Sequence, residues 1–180
     1  MIRFLARAAI VGAAIGWILD RILASRAAGR GPAPIRSLVV IDTPIERVWR
    51  ELTDLEGQPS WMHDMKAVRV LTTGAVGVGT RAEADVRIFG MPVVDPITIT
   101  AFDPPRRFAI RHEGQFSGEG IIELEPGADG STTIVRWDET IVPPYLPHLG
   151  AALLAPILAQ VFQADLDRLR ELVETGAADV

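Results

Sequence analysis

The sequence predicts an α+β domain: a curved antiparallel sheet of about seven strands wrapped around a long C-terminal helix, with a separate apolar helix in front. Three observations carry this. Period-two alternation recurs in segment after segment of the middle of the chain, helical apolar spacing closes it, and the opening stretch differs in composition from all that follows.

The opening stretch, residues 1–34, is apolar and basic. Ala8 to Leu19 is an uninterrupted apolar run of twelve, and a bilayer core asks for ~20 residues of helix. Trp17 stands where an interfacial anchor would, and flanking arginines could snorkel to headgroups. Residues 1–36 hold Arg3, Arg7, Arg21, Arg26, Arg30 and Arg36 against Asp20 alone, whereas the remainder holds 12 basic and 22 acidic residues. A basic, apolar head suits anionic lipid, and an acidic body argues against nucleic acid as a partner. More arginines follow the run than precede it, so the positive-inside bias puts the body in the cytoplasm, associated with the membrane. The rival expectation is export behind a signal cleaved near Ser25-Arg26-Ala27. Ala8, Gly12 and Gly16 recur every four residues, a pattern that would allow a homodimer through the Gly12/Gly16 face. Gly29 to Pro34, GRGPAP, then forms a stiff tether.

Residues 35–180 form the second unit. SLVVID is a strand, and PIERVWRELTDL follows as a helix with Thr43 as its cap, Pro44 in its first position, and Val48, Trp49 and Leu52 on its apolar stripe. In RAEADVRIF, Ala82, Ala84, Val86 and Ile88 face one way and the charged residues the other. ITITAF, RRFAIRHE, FSGEGIIELE and TTIVRWDETI repeat the pattern, divided by turns at FDPPRR and EPGADG. The final helix carries Leu154, Leu158, Val161, Phe162, Leu166, Leu169 and Val173 at helical spacing, with Pro156 expected to kink or delay its first turns and Gly176 to close it. A curved sheet gripping one helix cannot fill its interior everywhere, so a cavity is expected.

The chain resembles the START-like superfamily of polyketide cyclase/dehydrase and lipid-transport proteins, SRPBCC, over roughly Ile35 to Thr175. The resemblance rests on IDTPIERVWRELTD, the tryptophan of PSWM, the GVGT hairpin, FDPPRRFAIR, the ELEPGADGSTTIVRW pair and the apolar last helix, in that order. It implies the helix-grip fold and a pocket for a hydrophobic ligand, without a fixed catalytic triad.

QPSWMHDMK, residues 58–66, invites a metal reading through His63 and Asp64. The further ligands such a site needs are missing from the pattern, so neither metal nor cofactor is expected. By the resemblance the segment lies at the cavity mouth, with Trp61, Met62 and Met65 as soft wall and His63 and Asp64 at the rim. The glycines of TTGAVGVGTR open onto a strand rather than a helix, which makes a hairpin and not a phosphate cradle.

Strand phase supplies the polar candidates. His112 shares a face with Phe108 and Ile110, and Glu139 shares one with Trp137. The plain expectation is that both lie where strand ends fray into solvent. The sharper one is that both point inward, where burial demands partners, and hold a polar head group or act as acid and base. Phe116, Gly118 and Gly120 lie on the strand between, the glycines leaving space. The expected lining is therefore Trp61, Met62, Met65, Val86, Ile88, Phe108, Ile110, His112, Phe116, Trp137, Glu139, Leu154, Leu158 and Phe162. Tyr145, Leu146 and Leu149 of PPYLPHLG form either a lid at the cavity entrance or a plain connecting loop. Three uses of such a fold follow: sequestration or transfer of a lipid, isoprenoid or polyketide-like molecule; cyclase or dehydrase chemistry by His112 and Glu139; or a ligand-free interaction module, which would have no room inside.

Overall fold

A computed structural model describes residues 2–88 and 90–176; Phe89 and the side chains of residues 2–4 and 6–8, Arg3, Arg7 and Ala8 among them, lie outside the described residues. The order is α1 (Ile2–Arg26), β1 (Ile35–Ile41), α2 (Ile45–Thr53), a 3-10 turn (Gln58–Ser60), β2 (Met65–Val70), β3 (Arg81–Ile88), β4 (Met91–Asp103), β5 (Arg107–Glu113), β6 (Ser117–Pro126), β7 (Thr133–Val142) and α3 (Pro147–Thr175). The seven strands form one antiparallel sheet in the order β1-β7-β6-β5-β4-β3-β2. This is the helix-grip arrangement: the sheet curves around α3, and β1, though first in sequence, closes against β7.

Alternation decides which side chains go inside. Along β1 every second residue from Ile35 to Ile41 is buried, and along β7 Thr133, Val135, Trp137 and Glu139 are buried in the same rhythm. α2 turns Ile45, Val48, Trp49 and Leu52 into the core, as its spacing requires. From α3 come Leu166, Leu169 and Val173, each almost wholly buried. Edge-to-face contacts of Phe102 with Trp49 and Phe108 tie sheet to helix at this end.

Three local expectations are corrected. Thr43 does not cap α2; Pro44 occupies the cap position, and the Thr43 carbonyl instead accepts the buried Thr133 hydroxyl at 2.7 Å. Pro156 neither delays nor interrupts α3, which runs unbroken from Pro147. Pro156 and Ala152, whose carbonyl loses its usual partner, are both exposed, so solvent can satisfy what the ring removes. The supposed lid is not one. Tyr145 is 84% exposed, Leu146 sits beside Gly16 of α1, and neither they nor Leu149 lines the cavity described below.

α1 packs along the first half of α3. Asp20, the charge that breaks its apolar run, is buried, and its Oδ1 accepts the backbone N–H groups of His148 and Leu149 at 2.8 and 2.9 Å. These are orphan donors of the first turn of α3, whose own N-cap residue, Leu146, offers no side-chain acceptor. A residue of α1 therefore caps a helix more than a hundred positions away. The opposite side of α1 leaves Ile10, Val11, Ile15, Trp17, Ile18 and Leu19 exposed. Among the described residues α3 is long and apolar enough to cross a membrane, with mean hydropathy 1.5 in its most apolar window, yet its second half is core.

Candidate functional site

Between the concave face of the sheet and the first half of α3 lies a cavity of about 320 Å³. β3 contributes Ala84, Val86 and Ile88, β5 contributes Phe108 and Ile110, and β7 contributes Trp137 and Ile141, all by the alternation that buries their neighbours. α3 faces them with Leu154, Leu158, Val161 and Phe162, the loop before β2 adds Trp61 and Met62, and β2 opens with Met65 on the same wall. Phe116 completes the wall, so all fourteen residues expected on the lining stand on it. Trp137 anchors the arrangement, packing against Phe162 at 4.8 Å between ring centroids and edge-on to Trp61 at 6.3 Å.

One side of this greasy space is polar. His112 on β5 and Glu139 on β7 do point inward and meet, with His112 Nε2 3.0 Å from Glu139 Oε1. They lie on strands separated by β6. The reach is possible because Gly120, paired with Ile110 on one side and Glu139 on the other, has no side chain to block it. A Cβ there would stand 2.5 Å from Glu139 Oε2 and 3.3 Å from Ile110 Cγ1. A third member went unnoticed in the sequence: Asp95 on β4, whose Oδ2 lies 2.6 Å from His112 Nδ1. Glu139 Oε2 in turn accepts the Trp137 indole N–H at 2.8 Å. Four successive strands, β4 to β7, thus each place a residue in or beside one buried chain of hydrogen bonds.

The geometry fixes the charge of the imidazole. Each ring nitrogen faces a carboxylate oxygen, and a neutral ring would aim a lone pair at one of them. Burial alone would push His112 down. The hydrogen bonds it donates to Asp95 and Glu139, with the charges of both, outweigh that and hold it up at about 10 against its ordinary 6.5. Near neutral pH it is an imidazolium between two carboxylates.

A further buried carboxylate, Asp165, faces the cavity from α3. It accepts the His63 backbone N–H at 3.0 Å and pairs with Arg168 at 2.7 Å; burial pushes its carboxyl up, and these two contacts oppose the push. This explains the QPSWMHDMK segment. His63 is exposed and meets Asp165 through its backbone N–H, while Asp64 lines the cavity and its carbonyl accepts the Arg87 N–H. The glycine-rich TTGAVGVGT loop joins β2 to β3 as a hairpin connection, with Gly74 and Gly79 at φ +106° and +88°.

A family model described as polyketide cyclase / dehydrase and lipid transport matches residues 33–174, most of the chain. The chain belongs to this family. Solved structures agree on the fold. A protein of Deinococcus radiodurans is 24% identical with a TM-score of 0.60, covering 79% of this chain and 98% of its own. A START superfamily protein from Mycobacterium smegmatis is 16% identical with a TM-score of 0.65 and the same coverage. The di-domain ARO/CYC protein BexL of the BE-7585A biosynthetic pathway is 18% identical with a TM-score of 0.64, over 78% of this chain and 46% of that one. Comparison with curated proteins found no match. This member of the polyketide cyclase/dehydrase and lipid-transport family therefore has a START-like, helix-grip fold, and its N-terminal helix lies wholly outside the matched residues.

Proposed function

We propose that this protein binds a hydrophobic small molecule, a lipid, isoprenoid or polyketide-like compound, in the cavity beneath α3, sequestering or transferring it close to a membrane. The observation that carries the reading is the cavity itself: apolar on most of its wall, polar at one pole, and of a size that suits a small ligand. Binding would draw on apolar area removed from water at ~25 cal/mol per Å². The exposed apolar residues of α1 and the arginines Arg21, Arg26 and Arg30 beside them support the membrane part, and the Asp20 cap supports a helix kept with the body rather than discarded.

Native mass spectrometry of the full-length protein tests the ligand: a non-covalent adduct is expected, and Val86→Phe, which fills the cavity from β3, should lose it. An empty protein that also fails to take up Nile red would end the proposal. Flotation with anionic vesicles tests the membrane part, which Ile15→Asp with Ile18→Asp should abolish; unchanged flotation removes it.

The Asp95–His112–Glu139 chain favours a second reading, acid/base chemistry of the cyclase or dehydrase kind. Both ring nitrogens of His112 are engaged, so the imidazolium would serve to position carboxylates, and Asp95 would be the group presented to a substrate. His112→Gln with Glu139→Gln separates the readings: a carrier keeps its ligand with altered head-group preference, whereas an enzyme keeps ligand and loses turnover.

A further inference from the structure

The polar pole of the cavity carries an inference about the kind of molecule that fits, and it rests on the reading of the cavity as a ligand site. Four side chains make the pole: Asp95, His112, Trp137 and Glu139. Their donors are three, the two imidazolium N–H groups and the indole N–H, and every one is spent inside the cluster. Their acceptors are not. Among the described residues no donor reaches Asp95 Oδ1, and each Glu139 oxygen, accepting one hydrogen bond, retains acceptor capacity.

Two carboxylates around one imidazolium also leave a negative charge in excess. The other ionisable groups on the wall are Asp64, Arg87 and Asp165. Asp165 is tied to Arg168, and among the described residues no further cation is paired with Asp95 or Glu139. The indole N–H of Trp61 is enclosed by protein and unpartnered, so it is not presented to the free volume of the cavity.

We infer that the cavity selects amphiphiles whose polar end donates hydrogen bonds, an alcohol, phenol or amine, and discriminates against carboxylates and other anionic or acceptor-only heads. A carboxylate would bring a like charge into an apolar enclosure against an acceptor already lacking a donor, and both the desolvation and the repulsion oppose it. A hydroxyl or ammonium group instead donates to the acceptor capacity that Asp95 and Glu139 retain, a hydrogen bond to a charged acceptor.

The test uses full-length protein loaded with Nile red, an uncharged dye, and displacement at neutral pH by 1-dodecanol, dodecylamine, dodecyl methyl ether and dodecanoate. The alcohol and the amine should displace the dye at concentrations at least about tenfold below the ether and the carboxylate, the scale of one hydrogen bond to a charged group. Asp95→Asn, which sets an amide donor in the pole, should narrow the gap to dodecanoate; the wild-type ranking stands as a test without it. Dodecanoate or the ether matching the alcohol overturns the inference and leaves the cavity reading standing. Failure of Nile red to bind overturns both.

Discussion

Asp20 of the N-terminal helix caps the C-terminal helix: its Oδ1 receives the N–H of His148 at 2.8 Å, with the N–H of Leu149 alongside. The first expected outcome follows from this. Asp20→Ala should cost about 1 kcal/mol of stability, the usual worth of an N-cap. Because the cap comes from another element, it should also loosen α1, seen as faster proteolysis near Ala27 and Ala28 in the variant. Asp20→Asn, which keeps an acceptor oxygen, should restore most of both, and equal loss in the two variants would contradict the capping role.

His112 gives a pH dependence. Its folded value of about 10 lies above the unfolded 6.5, so the stabilisation from its two carboxylate bonds is fully present below about pH 6.5 and is lost as pH rises through 10. Urea denaturation of the wild type should show falling stability between pH 7 and 10, and His112→Gln should flatten that slope. NMR titration should find the ring still protonated at pH 8.

Gly120→Ala should destabilise by about 1–3 kcal/mol, the usual penalty of overpacking. The new methyl would meet a Glu139 oxygen held by Trp137, and pushing it aside breaks a buried bond. The same variant should lower the His112 titration, because Glu139 is one of the two groups that raise it. A stable variant with an unchanged titration would contradict the packing described here.

Asp165 separates charge from hydrogen bonding. Asp165→Asn keeps an acceptor for the His63 N–H and removes a charge that burial disfavours, so it should match or exceed wild-type stability at neutral pH. Asp165→Ala strands that N–H and should cost about 1–3 kcal/mol. Thermal unfolding of the two variants side by side checks the order.

Much of this was legible in the chain because strand alternation is a local signal. It placed Val86, Phe108 and Trp137 on the inner face, and extending the same phase to the strand ends brought His112 and Glu139 inside with them. Asp95 was within reach of the same reasoning. It continues the inward series of Ile97 and Ile99 on β4, but ITITAF begins after Pro96, and the proline hid the residues from Met91 on that extend the strand backwards. The Asp20 cap was not legible, since nothing near Asp20 or His148 signals a bond across 128 positions. Nor was the start of α3, because the prolines of PPYLPHLG read as loop although Pro147 fits a first helical turn. The pairing of His63's backbone with Asp165 likewise depends on the docking of α3, which no local pattern encodes.

α3 divides its labour along its length. All of its buried residues, Asp165, Leu166, Leu169 and Val173, fall in the second half, while Leu154 and Leu158 in the first half are only partly covered and look onto free volume. Substitutions in the first half can therefore reshape the guest compartment while the scaffold's stability is underwritten elsewhere. A lineage carrying this architecture has room to change its cargo by drift in a few turns of one helix, without first acquiring compensating changes to remain folded.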